Sequence, residues 1–188
     1  MGIGQHNQRE VVFSGKIVEV VHEYDPQSKR VLEKVRRSPG VRLIITTDDH
    51  KFVLTKELRK EVGGYDIRLP GGKVFDTLDE YRAACNAREN LLEKAEAAAR
   101  KEAREEVGIE IEKLRYLTTS TCGATVEWDL YYFQVEKFVE LEGQNLELGE
   151  DINVIKVHRD EVLQMCLDGR IGEDRSVAVL LRYFLIII

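Results

Sequence analysis

The sequence has few cysteines and no long uninterrupted apolar run, and each shortage excludes a class of protein. Its three cysteines, Cys85, Cys122 and Cys166, are widely spaced and form no CxxC pair, which argues against a disulfide scaffold and against a zinc site. The most apolar segment, residues 177–188, is interrupted by Arg182 and is too short to span a bilayer. The first residues have neither the basic start nor the apolar core of a signal peptide. We therefore expect a cytoplasmic protein with no membrane partner.

The chain also lacks a basic patch. Its net charge is −6, and no cluster of lysines and arginines is interleaved with aromatic residues, so nucleic acid is not an expected partner. Internal repeats, low-complexity tracts and a clear linker are absent as well. A chain of 188 residues is long enough for a proper core, and residues 1–188 are predicted to form one domain.

The most informative segment present is KEAREEVGI, Lys101 to Ile109. It brings Glu102, Glu105 and Glu106 within about one helical turn, where like charges repel. A charge-rich helix is most often a solvated surface, and that is the competing interpretation. A magnesium ion would reverse the sign of the interaction, because Mg²⁺ prefers hard oxygen ligands and often takes carboxylates together with substrate phosphates.

Helical periodicity over residues 91–107 favours the metal site. An apolar stripe runs through Leu92, Ala95, Ala99, Ala103 and Val107. At about 100° per residue, Glu106 points within about 20° of Ala99, and Glu102 lies about 60° to the side. An unpaired carboxylate on a packed face is costly. A buried salt bridge could satisfy one acid, whereas three acids on one rim indicate a cation.

The sequence also predicts where this helix begins and ends. Asn90 is a predicted N-cap, and Glu93 three residues later would complete a capping box. Gly108 fits the left-handed position that commonly ends a helix. Upstream, LPGGKV at residues 69–74 follows the alternating YDIRL, so a strand runs into a glycine turn. The turn is not a P-loop, because Ile67 stands where that motif requires its first glycine.

This glycine turn, the KExxEE helix and the following Gly-Ile together resemble the box of the Nudix hydrolase family, which reads G, five residues, E, seven residues, REUxEExGU. The matching positions are Gly72, Glu93, Glu102, Ala103, Glu105, Glu106, Gly108 and Ile109. Lys101 replaces the family's arginine, which keeps the charge but loses the guanidinium fork. Twenty residues separate Gly72 from Glu93, where the family usually has five. The excess predicts an inserted helix at about residues 77–87, within the segment 75–92.

Further segments are similar to the ADP-ribose pyrophosphatase branch of that family. They are RRSPGVRLII at residues 36–45, KELR at 56–59, GATVE at 123–127, GEDINVIKV at 149–157 and DGRIGEDRSVAVLL at 168–181. The resemblance implies the Nudix fold, an α/β fold of the mixed α+β kind in which a mixed β-sheet lies between helices. It also implies that amino-terminal strands, residues 1–37, form contacts in a homodimer.

The order of elements agrees with a mixed sheet flanked by helices. Strands are predicted at residues 13–24, 29–37, 41–47, 51–55, 109–119, 126–135 and 151–157, and closing helices at 159–168 and 174–184. The third and fourth of these strands are predicted to form a hairpin across residues 48–50.

The resemblance also implies the chemistry. It predicts Mg²⁺, with Mn²⁺ possible, held by Glu102, Glu105 and Glu106 with the Gly71 carbonyl. The reaction would be hydrolysis of the diphosphate bond of a nucleoside diphosphate derivative, with ADP-ribose yielding AMP and ribose 5-phosphate. Glu150 is the predicted base and Glu147 the reserve, although either could be a solvated loop carboxylate.

Two residues are expected to contact this small-molecule substrate. Glu127 would help to position the second phosphate or a metal. Arg59 is a candidate for binding the diphosphate, because a guanidinium can bind phosphate bidentately. A surface ion pair is an equal alternative for Arg59.

Three other functions stay open at this point. Another nucleoside diphosphate sugar could be the substrate. A module that binds ADP-ribose-like ligands without cleaving them would usually have lost glutamates of the box, and this chain keeps all three on its helix. An isoprenoid diphosphate isomerase would need a cysteine and an acid opposed across an apolar pocket, and no local context of Cys122 supports that.

Overall fold

The computed structural model describes residues 8–60 and 63–186. The strands are β1 (Gln8–Ser14), β2 (Glu19–Asp25), β3 (Arg30–Arg36), β4 (Gly40–Ile45), β5 (Lys51–Arg59), β6 (Gly64–Arg68), β7 (Ile109–Ser120), β8 (Val126–Glu127), β9 (Leu130–Glu140) and β10 (Ile152–His158). The helices are α1 (Leu78–Asn86), α2 (Leu91–Glu102), α3 (Arg159–Leu167) and α4 (Asp174–Ile186). A single π-helical turn, Ala103–Val107, continues α2.

The strands form three small sheets. In the amino-terminal sheet, β1, β2 and β3 are antiparallel neighbours and β8 lies parallel to β3. In the second sheet, β5 lies between β10 and β6, antiparallel to both. In the third, β9 lies between β4, to which it is parallel, and β7, to which it is antiparallel.

Helices cover both faces of strand β4, and this is where the core lies. On one side, Val41, Leu43 and Ile45 pack in a cluster with the alanines of α2. On the other side, Ile44 belongs to a cluster that includes buried residues of α3 and α4. A strand that is buried on both faces has mostly consecutive apolar residues, rather than alternating apolar and polar ones. The predicted fold class, a mixed sheet between helices, is confirmed.

Helix α2 begins and packs through local signals in its sequence. The Asn90 side chain accepts a hydrogen bond from the Leu92 backbone N–H at 3.1 Å. Its amide also donates to the Glu93 carboxylate at 2.8 Å, which is a different contact from the predicted capping box. The buried face of α2 consists of Ala95, Ala98 and Ala99. The predicted stripe began one residue late, because Leu92 is exposed and Leu91 packs against the core.

Helix α1 lies within the segment that was predicted to be an insertion. A capping box between Thr77 and Glu80 starts it. The helix attaches to the amino-terminal sheet through Glu19, which is fully buried and forms ion pairs with Arg36 at 2.5 Å and Arg82 at 3.2 Å. Two guanidinium groups therefore compensate one buried carboxylate, as such a group requires.

Two predicted strands are wrong in their extent. Residues 13–24 form parts of two strands, because Gly15 donates to the Val18 carbonyl at 2.8 Å and turns the chain. Residues 126–135 are divided between β8 and β9. The predicted hairpin turn at residues 48–50 is present, with a bridge from Thr46 to Phe52, but β4 and β5 then enter different sheets.

No helix within residues 8–60 and 63–186 has both the length and the hydrophobicity that a membrane-spanning segment needs.

We expect Gly108→Ala to destabilise the fold. Gly108 has φ 73° and ψ 42°, a left-handed conformation that costs an L-residue about 1–2 kcal/mol. A Cβ there would also lie 2.6 Å from the Gly143 carbonyl oxygen. Urea denaturation should therefore report a loss of at least about 1–2 kcal/mol in the free energy of unfolding. Gly64→Ala is the matched control, because a Cβ at Gly64 meets nothing within 4 Å, and its stability should stay within about 0.5 kcal/mol. Equal stabilities for the two variants would contradict the prediction.

Candidate active site

A cavity of about 310 Å³ lies between the glycine turn, the end of α2 and the loop that precedes β10. Its lining contains the acids Glu57, Asp76, Glu102, Glu105, Glu106, Glu147, Glu150 and Glu173 and the basic residues Arg37, Arg42, Arg59, Arg68, Lys73 and Lys101. The volume lies at the lower end of what small-molecule sites occupy. The lining is strongly polar, with charged groups of both signs.

Close contacts between the glycine turn and two carboxylates form one wall of the cavity. The Gly71 backbone N–H donates to Glu106 Oε2 at 2.8 Å. A Cβ on Gly71 would overlap the Val41 carbonyl oxygen, and one on Gly72 would overlap the carboxylate of Glu102. Gly71 is therefore required by the close approach of its backbone to the backbone of β4, whereas a side chain at Gly72 would displace the Glu102 carboxylate.

The π-helical turn Ala103–Val107 carries Glu105 and Glu106 at the end of α2. Glu106 is only 8% exposed, as its angular position beside Ala99 indicated, and Glu102 and Glu105 are half-buried. π-Helical turns are frequent at functional sites. This turn was not predicted, because the spacing of the alanines fits a regular α-helix.

Burial and crowding make these carboxylates weak acids. Burial, reinforced by the nearby Glu102, raises the pKa of Glu106 to about 8, although the Gly71 N–H and Arg42 oppose the shift. Burial and the neighbouring Glu105 raise the pKa of Glu102 to about 7, against the opposing charge of Lys101. Both acids therefore hold a proton more tightly than an exposed carboxylate does.

The donor set suits a divalent cation of the Mg²⁺ type. Carboxylates are hard oxygen donors, and a cation beside them would relieve the repulsion that raises their pKa values. Within the described ranges, no three Asp, Glu, His or Cys side chains are already arranged to hold a metal ion. Ligation by Glu102, Glu105 and Glu106 therefore requires their side chains to rotate towards a common point.

The predicted base and its reserve lie on the same cavity. Glu147 and Glu150 are exposed, and the Glu147 backbone N–H donates to Glu150 Oε2 at 3.0 Å. Lys101 lies between the two groups of acids, with its Nζ 3.4 Å from Glu105 and 3.9 Å from Glu147. The lysine that replaces the family's arginine thus forms an ion pair with the box itself.

The remaining predicted site residues occupy different positions. Arg59 lines the cavity and forms an ion pair with Glu57 at 2.7 Å. An ion pair, the alternative role considered for Arg59, is therefore present. Glu127 is not among the lining residues and pairs with Arg9 at 2.8 Å and Lys34 at 3.6 Å in the amino-terminal sheet. Glu93 is exposed on the first turn of α2, roughly 13 Å along the helix from Glu102.

The sequence analysis did not predict a buried ion pair in the lining of the cavity. Arg42 Nε and Nη2 donate to the Glu173 carboxylate at 2.8 and 2.7 Å. Although burial opposes it, this pairing, together with the Ser176 hydroxyl, holds the pKa of Glu173 at about 2. The sequence feature that could have indicated this pair is Arg42 itself, a single charged residue within the apolar strand VRLII. Its partner is 131 residues away in sequence.

Comparisons with known proteins give a family and a fold. The NUDIX domain family matches residues 36–170. The chain is 26% identical over 176 residues to the methanol dehydrogenase activator of Bacillus methanolicus, covering 89% of this chain and 85% of that protein. It is 25% identical over 181 residues to the ADP-ribose pyrophosphatase of Bacillus subtilis (strain 168), covering 93% and 89%. A crystal structure of an ADP compounds hydrolase superposes with a TM-score of 0.64 at 19% identity, covering 95% of this chain and 91% of that one.

Stability without metal should depend on pH through Glu106. Its pKa rises from 4.5 to about 8 on folding, so the folded state binds the proton more tightly and this contribution is lost as pH rises from 4.5 through 8. In EDTA, the free energy of unfolding should therefore fall more between pH 5 and pH 8 in the wild type than in Glu106→Gln. Urea denaturation at both pH values measures it. Glu93→Gln, which changes an exposed carboxylate, should keep the wild-type slope. An identical slope in Glu106→Gln would contradict the prediction.

Proposed function

The chain belongs to the NUDIX domain family and is a Nudix hydrolase, and we propose that it hydrolyses the diphosphate bond of ADP-ribose to give AMP and ribose 5-phosphate in a reaction that depends on Mg²⁺. The observation that carries the proposal is the set of carboxylates on Glu102, Glu105 and Glu106, which line one cavity against the Gly71–Gly72 turn. Similarity to an ADP-ribose pyrophosphatase along 93% of the chain supports the substrate. Another nucleoside diphosphate sugar is the alternative substrate.

The charge of the cavity supports a requirement for cations. Its lining holds eight carboxylates and six basic side chains. Ionised acids of the lining oppose an anionic diphosphate, so divalent ions bound together with the substrate should strengthen its binding and are needed for its cleavage. Mg²⁺, or Mn²⁺ in its place, would supply charge neutralisation and Lewis acidity at the diphosphate when held by these carboxylates.

Metal binding and proton transfer are assigned to different residues of the chain. Glu102, Glu105 and Glu106, with the Gly71 carbonyl, would hold the metal. Glu150 would accept the proton of the attacking water, with Glu147 in reserve; both lie on the rim of the cavity, where a carboxylate stays accessible. Water adds to one phosphorus, and the bridging oxygen leaves with the other phosphate.

Homodimer formation through the amino-terminal sheet is a further part of the proposal. Glu19, Val21 and Glu23 alternate along β2 and are buried, so the neighbouring positions face the other way. That outer face carries Phe13, paired with Val20, and Val31, paired with Tyr24. Phe13 is 57% and Val31 is 58% exposed. Exposed apolar residues on one face of a sheet, here on either side of the row of Glu10, His22 and Glu33, are a feature of interfaces.

Product analysis tests the proposed reaction. The wild-type protein is incubated with Mg²⁺ and a panel of ADP-ribose, other nucleotide sugars, dinucleoside polyphosphates and nucleoside triphosphates. We expect AMP and ribose 5-phosphate from ADP-ribose as the most rapidly formed products. Glu106→Gln should lower turnover at least roughly a hundredfold, because it removes a carboxylate that holds the metal. Glu93→Gln serves as the control and should retain turnover. Binding of ADP-ribose without any Mg²⁺-dependent cleavage would contradict the proposal and favour a ligand sensor.

The oligomeric state tests the proposed interface. Phe13→Asp introduces a charge on the outer face of the amino-terminal sheet, where a partner copy would bury it unpaired, so the dimer should dissociate at concentrations where the wild type remains dimeric. Sedimentation velocity measures the change. Leu167→Asp alters another exposed apolar residue, 66% accessible at the end of α3, and should leave the dimer intact. A monomeric wild type, or dissociation by both variants, would contradict the interface.

A further inference from the structure

Four arginines line the cavity, and they differ in how their charge is compensated. Arg42 pairs with Glu173 at 2.7 Å, Arg59 with Glu57 at 2.7 Å, and the third, Arg68, with Asp66. Arg37, the fourth, forms no ion pair with a carboxylate in the part of the chain that the structure describes. Among these four arginines, Arg37 is therefore the one whose charge a ligand can meet without first displacing an acid.

An aromatic ring, rather than an acid, holds the Arg37 side chain. Its guanidinium carbon lies 4.0 Å from the centroid of the Trp128 ring, and Trp128 also lines the cavity. Arg175 stabilises this ring, with its own guanidinium carbon 4.1 Å from the centroid and its Nη1 donating to the Trp128 carbonyl at 2.7 Å. Stacking on a ring uses the face of a guanidinium and leaves its N–H donors at the edge available.

The surroundings of Arg37 favour an anion. Burial lowers the pKa of Arg37, and the nearby charges of Arg175, Arg42 and Arg59 lower it further. A half-buried cation among other cations gains more from a bound anion than an arginine that already faces a carboxylate. Phosphate fits the fork of a guanidinium with two parallel hydrogen bonds.

We propose that Arg37, held on the Trp128 ring, binds a phosphate group of the substrate in this cavity. The inference rests on the proposed function for the identity of the substrate, but not for the binding of the anion. Arg37 would thus be a second phosphate-binding arginine beside Arg59, and the two differ in their partners. Arg59 must share its donors with Glu57, whereas the Arg37 guanidinium donates to no side chain within the described ranges.

Binding without metal tests the inference separately from catalysis. Isothermal titration calorimetry in EDTA, with ADP and with inorganic pyrophosphate as probes, should give a dissociation constant at least about tenfold higher for Arg37→Gln than for the wild type, because a charge-assisted hydrogen bond is lost. Arg37→Lys keeps the charge but loses the fork, and Trp128→Leu removes the ring, so each should weaken binding to a smaller extent. Thermal melting of each variant checks that it is folded.

A matched control separates a local contact from a change in total charge. Arg104→Gln removes an exposed arginine that pairs with Glu110 and is not among the lining residues, and its affinity for ADP should equal that of the wild type. In the hydrolysis assay, Arg37→Gln should raise KM more than it lowers kcat, since a phosphate contact is made in both the bound substrate and the transition state.

The outcomes distinguish the inference from the proposed function. Unchanged affinity for ADP in folded Arg37→Gln, or equal losses in Arg37→Gln and Arg104→Gln, would overturn the role of Arg37 even if ADP-ribose is hydrolysed. A wild type that binds neither probe in EDTA would overturn it too. Loss of ADP binding in Arg37→Gln together with no hydrolysis of any substrate in the panel would support the phosphate site and reject the proposed reaction.

Discussion

The approach of two glutamates to a glycine turn is the constraint on which the rest of the structure depends. The Gly71 N–H bonds to Glu106, and Glu102 lies so close to Gly72 that a side chain there would displace its carboxylate. These contacts require α2 to pack tightly against β4 and β9, which its small alanine side chains permit. A larger residue on that face would push the carboxylates away from the turn.

The same constraint explains the distribution of charge around the cavity. Burial, reinforced by neighbouring carboxylates, raises the pKa of Glu102 and of Glu106, while Arg42 on the adjacent strand is compensated by Glu173. Acidic and basic groups therefore occupy the cavity together, and some of them are paired, as Arg59 is with Glu57. In the proposed reaction, a divalent cation would lie against the carboxylates and an anionic ligand against the basic groups.

What could be predicted from the sequence was mostly local. The position of Glu106 followed from helical periodicity, and Gly108 from the conformation that ends a helix. The fold class followed from the order of elements and from the resemblance of the box. The π-helical turn could not be predicted, because it depends on how the end of α2 meets the glycine turn. The pairing of Arg42 with Glu173 could not be predicted either, because the residues come together only when α4 packs on the sheet. The turn at Gly15 that separates β1 from β2 could have been predicted from the glycine, but it was overlooked.

The buried ion pairs of the amino-terminal sheet affect the order in which the chain can fold during synthesis. Strands β1 to β3 leave the ribosome first and can pair with one another locally, but Glu19 pairs with Arg82, 63 residues later. The same sheet is completed only when β8 pairs with β3 at Val126. Until those segments are synthesised, this first part of the chain exposes carboxylates on a face that should be buried. The amino-terminal sheet, although encoded first, therefore reaches its final form only after the box helix has been translated.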